Sequence, residues 1–518
     1  MDNIEAVIKD VKSDSLRKRW LYKFFANLIG LGMGFIIQFI VPKSLGPGAY
    51  GNFSFLTNFF TQAVSFFEMG TATCFYTRLS QRPRERDLVS FYGYFAGLVA
   101  ACILIFVVLT MATMSYSKFW PGQEVGYICL AAGFGLLNWV VQVLNSMVDA
   151  YGVTVMAEKA KITQKILFVV IILALFLNQQ INLLNFFYVQ YAVLLFLVFM
   201  FLHIMQREGY FSGQKLYIGF SRIKAYVQEF YQYSRPLFIY SLVGVIANIL
   251  DRWLLQIYGG SIQQGFFGFS FQLGALCFLF AGALTPLLTR EFSIAHAQKD
   301  VMEIGRLFER YIPILLFVTA FLTCFLASQA GTLVQIIGGD KYKDSMWPVF
   351  IMVFYPIYQV YGQVCGSIFF SMGETRAYCV IGIIFMLLGI PVTYFLIAPK
   401  VLGGLSSGAI GLAVKTILVQ IFGVNALLYH NARTLKFSFR KYFFMQFMVI
   451  GALLAAAFLA SYAGAFLSGG FKNLVLKFLV SGVMYTLLIV VVAYFFPFVL
   501  GLKKDDMNQV MRMGRRYV

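Results

Sequence analysis

Residues 38–53 read QFIVPKSLGPGAYGNF, a turn rich in Gly and Pro between two long apolar runs. The turn lacks the Gly-Lys-Ser/Thr ending of a phosphate-binding P-loop, so it predicts a tight connection between two helices. A related turn lies 214 residues later, where Gly259-Gly260 corresponds to Leu45-Gly46. Likewise, Met372-Gly373-Glu374-Thr375 repeats Tyr151-Gly152-Val153-Thr154 at an offset of 221. These ordered matches at nearly constant offset indicate an internal duplication.

The composition is that of a membrane protein. Of the 518 residues, 60% are hydrophobic and only 12% are charged, whereas roughly a quarter of a soluble protein is charged. About 20 apolar residues suffice to cross a bilayer as a helix. The sequence therefore predicts an all-α polytopic membrane protein with about fourteen transmembrane helices, at residues 20–42, 52–78, 88–114, 124–150, 162–178, 184–205, 235–258, 263–289, 311–330, 346–371, 377–398, 408–430, 443–467 and 473–500.

The basic residues orient these spans. Of the 41 Lys and Arg, 31 lie in the termini and the connections on their side, and 7 lie on the other side. This asymmetry predicts that both termini are cytoplasmic. It also accounts for the net charge of +19, so nucleic acid is not expected as a partner. The charged N-terminus lacks the apolar core of a signal peptide.

The duplication divides the chain into two lobes of six spans each. An even number of spans inserts both lobes the same way up, which predicts parallel repeats and a transporter with its substrate between them. The expected organisation is a cytoplasmic segment 1–19, an N-lobe 20–205, an inter-lobe linker 206–234, a C-lobe 235–430, two appended spans in 431–500 and a basic cytoplasmic tail 501–518.

Polar side chains inside the spans are the candidate substrate-binding residues, because an ionisable group in a bilayer needs a partner or a water-filled cavity. The candidates are Lys23, Asn27, Glu68, Arg78, Arg235, Asp251, Arg252, Arg290 and Lys415. Their cations suit an anionic substrate. Alternatives stay open: three of the arginines lie where snorkelling to the interface explains them, Asp251 and Arg252 could pair with another helix, and Glu68 could be buried and protonated.

No enzyme activity is expected from this sequence. The seven Cys form no CxxC pair, and the three His have no catalytic or metal-binding partners nearby in the sequence. We therefore expect no catalytic residue, no metal site and no cofactor. Coupling to H⁺ or Na⁺ through Glu68 is compatible with the sequence but not required by it.

Two segments resemble a known family. Residues 27–81, NLIGLGMGFIIQFIVPKSLGPGAYGNFSFLTNFFTQAVSFFEMGTATCFYTRLSQ, and residues 236–273, PLFIYSLVGVIANILDRWLLQIYGGSIQQGFFGFSFQL, resemble the opening spans of the two lobes in Wzx-type polysaccharide flippases. This family belongs to the MOP (multidrug/oligosaccharidyl-lipid/polysaccharide) exporter superfamily. The motifs are diagnostic in spans 1, 2, 7 and 8. Asp251-Arg252 match the family's DR pair, whereas the other candidates are placed by span and depth only.

The resemblance implies a V-shaped, two-lobed bundle that works by alternating access. Its cargo would be an undecaprenyl-diphosphate-linked oligosaccharide, turned to the outer leaflet for O-antigen or exopolysaccharide assembly. A polysaccharide polymerase and a chain-length regulator are then candidate partners. Two alternatives compete with this reading. A multidrug or organic-cation antiporter would favour acidic residues in the cavity, and a membrane enzyme would need a catalytic loop.

Overall fold

The computed structural model describes residues 16–83, 85–210, 218–467 and 473–497, which form helices joined by short turns, with no strand among them. The α-helices are α1 (Leu16–Glu68), α2 (Thr71–Gln81), α3 (Arg86–Ala112), α4 (Tyr116–Phe119), α5 (Val125–Ala150), α6 (Thr154–Leu177), α7 (Leu183–Arg207), α8 (Phe220–Leu276), α9 (Leu279–Ala297), α10 (Val301–Ser328), α11 (Ala330–Leu333), α12 (Met346–Met352), α13 (Tyr355–Ser371), α14 (Thr375–Ile397), α15 (Gly408–Leu435), α16 (Phe439–Leu467) and α17 (Leu474–Phe495). A π-helix at Val334–Gly338 and 3₁₀ turns at Asp340–Ser345 and Lys400–Leu402 connect some of them.

The helices confirm the predicted polytopic membrane protein. Within the described residues, 11 helices are long and apolar enough to span a membrane. They lie in the predicted spans 3 to 14. The candidate Phe238–Leu276 contains most of span 7 and the first half of span 8, and the second half of span 8 lies in α9. Predicted span 1 lies in α1, and predicted span 2 begins in α1 and ends in α2. The predicted total of fourteen is not confirmed.

The glycines matched by the repeat have matching backbone conformations. Gly46 (φ 76, ψ 168) kinks α1, and Gly260 (φ 69, ψ −174) kinks α8 in the same way. The turns at Gly152 and Gly373 also share a positive φ, of 80 and 75. Since only glycine adopts these φ values without strain, the four positions explain why the sequence repeats glycine there.

The chain forms two compact units that divide between Gln264 and Gly265. The first part of α8 belongs to the first unit because Tyr226 and Phe230 pack against Phe91, with ring centroids 5.2 and 5.3 Å away. The repeat instead places the lobe boundary in the predicted linker 206–234. The predicted lobe limits therefore remain a prediction.

Each unit has its own aromatic core. Phe55, Phe60 and Trp120 are fully buried in the first unit, and Gly135 lets α5 approach α1, since a Cβ there would lie 3.0 Å from that of Phe60. In the second unit, Phe308 packs against Tyr442 at a centroid distance of 5.4 Å. Apolar side chains also cover the outside, as on α3, whose exposed Leu, Ile and Val are typical of a surface in contact with lipid.

Candidate functional site

The predicted residue Arg78 lies in a group of ionic contacts at the end of α2. Its Nε is 2.8 Å from Oε1 of Glu229 on α8, and Arg82 pairs with the same carboxylate oxygen. Arg82 also pairs with Glu85, at 3.0 Å. All four side chains are partly exposed, between 24% and 38%. Two guanidinium groups thus converge on one carboxylate in the first unit.

Two further contacts extend this group along α8. The Tyr226 hydroxyl donates a hydrogen bond of 2.7 Å to Glu85, and Arg222 pairs with Asp87. We call the following seven residues the arginine cluster: Arg78, Arg82, Glu85, Asp87, Arg222, Tyr226 and Glu229.

The cluster perturbs its own titrating groups. Burial alone lowers the pKa of Arg82, but Glu85 and Glu229 more than offset this effect and hold that pKa above its usual value. Burial makes the largest contribution to the raised pKa of Tyr226. The hydrogen bond to Glu85 and the negative charge of that residue raise this pKa further. At neutral pH, Arg82 is therefore a cation and Tyr226 a hydrogen-bond donor.

Glu68 lies at a break in the helix rather than in a regular span. Met69 and Gly70 have φ values of 54 and 74, which end α1 and separate it from α2. The Ala72 amide donates a 3.1 Å hydrogen bond to the Glu68 carboxylate. A carboxylate at a helix N-terminus satisfies a free amide and interacts favourably with the helix dipole. The structure therefore gives Glu68 a capping role, and its predicted cavity role remains a prediction.

The Asp251-Arg252 pair lies just before the kink of α8. Arg252 donates a 3.0 Å hydrogen bond to the Gln264 side chain, and Gln264 in turn donates to the Arg252 carbonyl. These bonds join the two helical segments on either side of Gly260. Arg252 thus has a partner on the next span, which was one of the two alternatives left open by the sequence.

Buried amides stabilise the neighbourhood of the same kink. Gln123 donates to Asn52 at 3.0 Å and to Ser261 at 3.3 Å, while Gln256 donates to the Pro121 carbonyl at 2.9 Å. Gln123 and Gln256 are 6% and 4% exposed. We call Asn52, Gln123, Gln256 and Ser261 the glutamine cluster. It connects both repeated turns to the segment before α5.

Lys165 is a cation within a helix that is long and apolar enough to span a membrane, and sequence reasoning missed it because the charge count placed it in a cytoplasmic connection. The helix starts at Thr154 rather than at 162, so Lys165 lies roughly 16 Å along its axis at 1.5 Å per residue. A Cβ at Gly30 would overlap the Lys165 ammonium group, so Gly30 makes room for it against α1. Near the start of α6, the buried Glu158 pairs with Lys161 at 2.8 Å.

The remaining predicted residues are distributed over both units. Arg235 is exposed on α8. In the second unit, Arg290 is exposed and pairs with Glu291 at 3.0 Å, whereas Lys415 is only 7% exposed and packs beside Gly389. Lys23 and Asn27 belong to α1, but their side chains lie outside the described residues.

Comparisons with known proteins identify the family. Residues 16–290, slightly more than half of the chain, match the family described as "Polysaccharide biosynthesis protein". A search of curated protein sequences found no significant match. Among solved structures, the chain is similar to "Lipid II flippase MurJ, inward closed conformation", with a TM-score of 0.63, 15% identity, and coverage of 92% of this chain and 98% of that chain.

A second similar structure is a "multidrug resistance MATE family transporter of the MOP superfamily" in an inward-facing conformation. Its TM-score is 0.60 at 15% identity, with 79% of this chain and 95% of that chain covered. At such identities the likeness shows the fold alone. Together with the family match, it confirms the resemblance found in spans 1, 2, 7 and 8. The chain belongs to the polysaccharide biosynthesis protein family and has the helical membrane-transporter fold of the MOP superfamily.

Proposed function

We propose that the protein flips an undecaprenyl-diphosphate-linked oligosaccharide from the cytoplasmic to the outer leaflet of the plasma membrane by alternating access. The family match over residues 16–290 is the observation that carries this proposal. The fold shared with a lipid II flippase supports it. A polysaccharide polymerase and a chain-length regulator would then act on the exported units, and both termini would face the cytoplasm.

Cations within the membrane helices support an anionic cargo. Arg252 lies about 12 Å before the kink at Gly260, and Lys415 about 10 Å after the start of α15, at 1.5 Å per residue. With Lys165, three basic side chains lie well inside helices that can span a membrane. A cation there costs about 3 kcal/mol on insertion scales, which favours a functional reason for retaining it.

The membrane potential provides a driving force for this direction of transport. Moving one elementary charge through 100 mV is worth about 2.3 kcal/mol. A dianionic diphosphate that leaves an inside-negative cell therefore gains about 4.6 kcal/mol per 100 mV. Export of such a cargo is downhill without a coupling ion, and coupling through Glu68 is not needed to account for it.

The direct test measures the side of the membrane on which the glycan lies. Cells depleted of the protein are converted to spheroplasts, and outward-facing lipid-linked glycan is labelled with a lectin that recognises it. Depletion should leave unlabelled lipid-linked oligosaccharide inside, and re-expression should restore labelling. If labelling is unchanged after depletion, the proposed function is wrong.

A multidrug or organic-cation antiporter is the second candidate, because a MATE transporter has a similar fold. An antiporter would increase the efflux of a cationic dye such as ethidium when overexpressed. A flippase would leave ethidium efflux unchanged. Dye efflux with unchanged glycan labelling would replace the proposed function by this alternative.

A further inference from the structure

Arg78 and Arg82 offer more hydrogen-bond donors than their partners in the structure accept. Each guanidinium carries five N–H donors in a fixed fork. Both pair with Oε1 of Glu229, and in addition Arg82 pairs with Glu85 and Arg78 donates to the Gln81 side chain. One guanidinium group can bind two phosphate oxygens through parallel hydrogen bonds. Two guanidinium groups therefore suit a ligand with several oxygens better than they suit one carboxylate oxygen.

The Glu229 carboxylate can be exchanged at low cost. Its side chain is 24% exposed, and those of Arg78 and Arg82 are 30% and 38% exposed. Ion pairs with this exposure contribute little net free energy, because water screens them and both side chains lose freedom. An anionic ligand could therefore displace the carboxylate without unfolding its surroundings.

The helix that carries Glu229 is held by other contacts. Tyr226 and Phe230 are 6% and 5% exposed and pack against Phe91. Arg222 adds an ion pair with Asp87 one turn away from Tyr226. Exchange at Glu229 thus requires only that its side chain rotate away, while the start of α8 stays bound to the first unit.

We propose that Arg78 and Arg82 form a binding site for the diphosphate of a lipid-linked ligand, and that Glu229 occupies this site as an internal competitor until the diphosphate displaces it. A diphosphate has more acceptor oxygens and more negative charge than a carboxylate, so it binds both guanidinium groups more tightly than Glu229 does. Because Glu229 must leave before any anion binds, it lowers the affinity of every anion by the same factor, and the two guanidinium groups favour the diphosphate. The assignment rests on the proposed flippase function and adds a residue that regulates its substrate site.

The test measures binding of farnesyl diphosphate, a short prenyl diphosphate, to the full chain in phosphatidylcholine nanodiscs by isothermal titration calorimetry. Glu229→Gln should tighten binding about fivefold, because it removes the competitor and a pair of this kind is worth about 1 kcal/mol. Arg78→Gln and Arg82→Gln should each weaken binding about tenfold or more. Farnesyl monophosphate should bind wild type much more weakly, and Glu229→Gln should tighten both ligands by a similar factor.

Two control variants change the same charges in the same cluster without touching the site. Asp87→Asn matches Glu229→Gln, and Arg222→Gln matches the arginine substitutions, because Asp87 and Arg222 pair with each other. Both should leave the dissociation constant within about twofold. If they shift it as much as the site variants do, the cluster acts only through its overall charge and the proposal is wrong.

Thermal unfolding of each variant separates ligand binding from structural stabilisation. Because the ion pairs of Glu229 are partly exposed, Glu229→Gln, Arg78→Gln and Arg82→Gln should each lower the thermal stability only slightly, while diphosphate binding changes in opposite directions in the glutamate and arginine variants. If all three variants weaken binding in step with a loss of stability, the ion pairs are only structural. Unchanged or weaker binding in Glu229→Gln would also overturn the proposal.

Two further arms identify the source of the phosphate and separate the two hypotheses. Adding phosphatidylglycerol to the nanodiscs should not compete with farnesyl diphosphate. Competition that depends on Arg78 and Arg82 would assign the site to lipid head groups and overturn the diphosphate assignment. If glycan labelling depends on the protein but these substitutions leave farnesyl diphosphate binding unchanged, the flippase function stands and the site assignment fails.

Discussion

The kink at Gly260 can be tested by replacing this glycine with alanine. Gly260 has φ 69 and ψ −174, a conformation that is essentially restricted to glycine and costs other residues about 1–3 kcal/mol. A Cβ at this position would meet nothing within 4 Å, so the cost arises from the backbone alone. Alanine also lowers the conformational entropy of the unfolded chain, and this stabilising effect offsets about 0.4–1 kcal/mol of the cost. Gly260→Ala should therefore destabilise the protein by about 1–2 kcal/mol.

Gly48→Ala is the matched control for this change. Gly48 lies in α1 just after the equivalent kink, lacks a positive φ, and also has open space around its Cβ position. Alanine is favoured over glycine there by about 0.5–1 kcal/mol. Equilibrium unfolding by SDS in mixed micelles should thus separate the two variants by roughly 2 kcal/mol, with the wild type between them. Equal stability of the two variants would refute the backbone argument.

Two further changes test contacts in the first unit. Gly30→Ala should displace the Lys165 ammonium group from α1 and lower glycan export, whereas Gly32→Ala, whose Cβ would meet nothing within 4 Å, should leave export near wild type; equal export by both variants would argue against a role for the contact. Tyr226→Phe should cost about 1 kcal/mol in SDS unfolding because it removes the hydrogen bond to Glu85. Since the folded pKa of Tyr226 is raised, its contribution is complete below the ordinary tyrosine pKa of about 10 and is lost as the pH rises through the folded value. The difference between wild type and Tyr226→Phe should therefore shrink above about pH 10, and a constant difference would contradict this assignment.

The sequence predicts those parts of the fold that depend on local patterns. Apolar runs mark the membrane helices. The repeated glycines locate both kinks because a backbone with this positive φ favours glycine at that position. Lys165 was counted with the basic connection although the predicted span begins at 162, because only three residues of that span precede it; the polar first turns of α6 already form helix from Thr154 and place it deeper. Hydropathy detects the apolar core of a helix and not its polar ends.

The partners of the candidate site residues could not be predicted from the sequence. Arg78 and Glu229 are far apart in the chain, and each by itself is typical of a charged residue near the membrane surface. Only the packing of Tyr226 and Phe230 on the first unit brings Glu229 to the two arginines. Glu68 is a similar case, since Gly70 alone does not distinguish a helix break from the many other glycines of the chain, and the hydrogen bond from Ala72 to Glu68 appears only in the structure.

The two polar clusters attach the first part of α8 to the first unit with unequal strength. In the glutamine cluster, Gln123 and Gln256 are more than nine-tenths buried, so breaking their bonds leaves buried polar groups unsatisfied at about 1–3 kcal/mol each. The ion pairs of Glu229 are partly exposed and contribute about 1 kcal/mol or less. If the proposed diphosphate site exists, its ligand would displace Glu229 at a lower cost in free energy than breaking the hydrogen bonds of the glutamine cluster. Under that proposal, ligand exchange in the arginine cluster would leave the contacts of α8 near Gly260 intact.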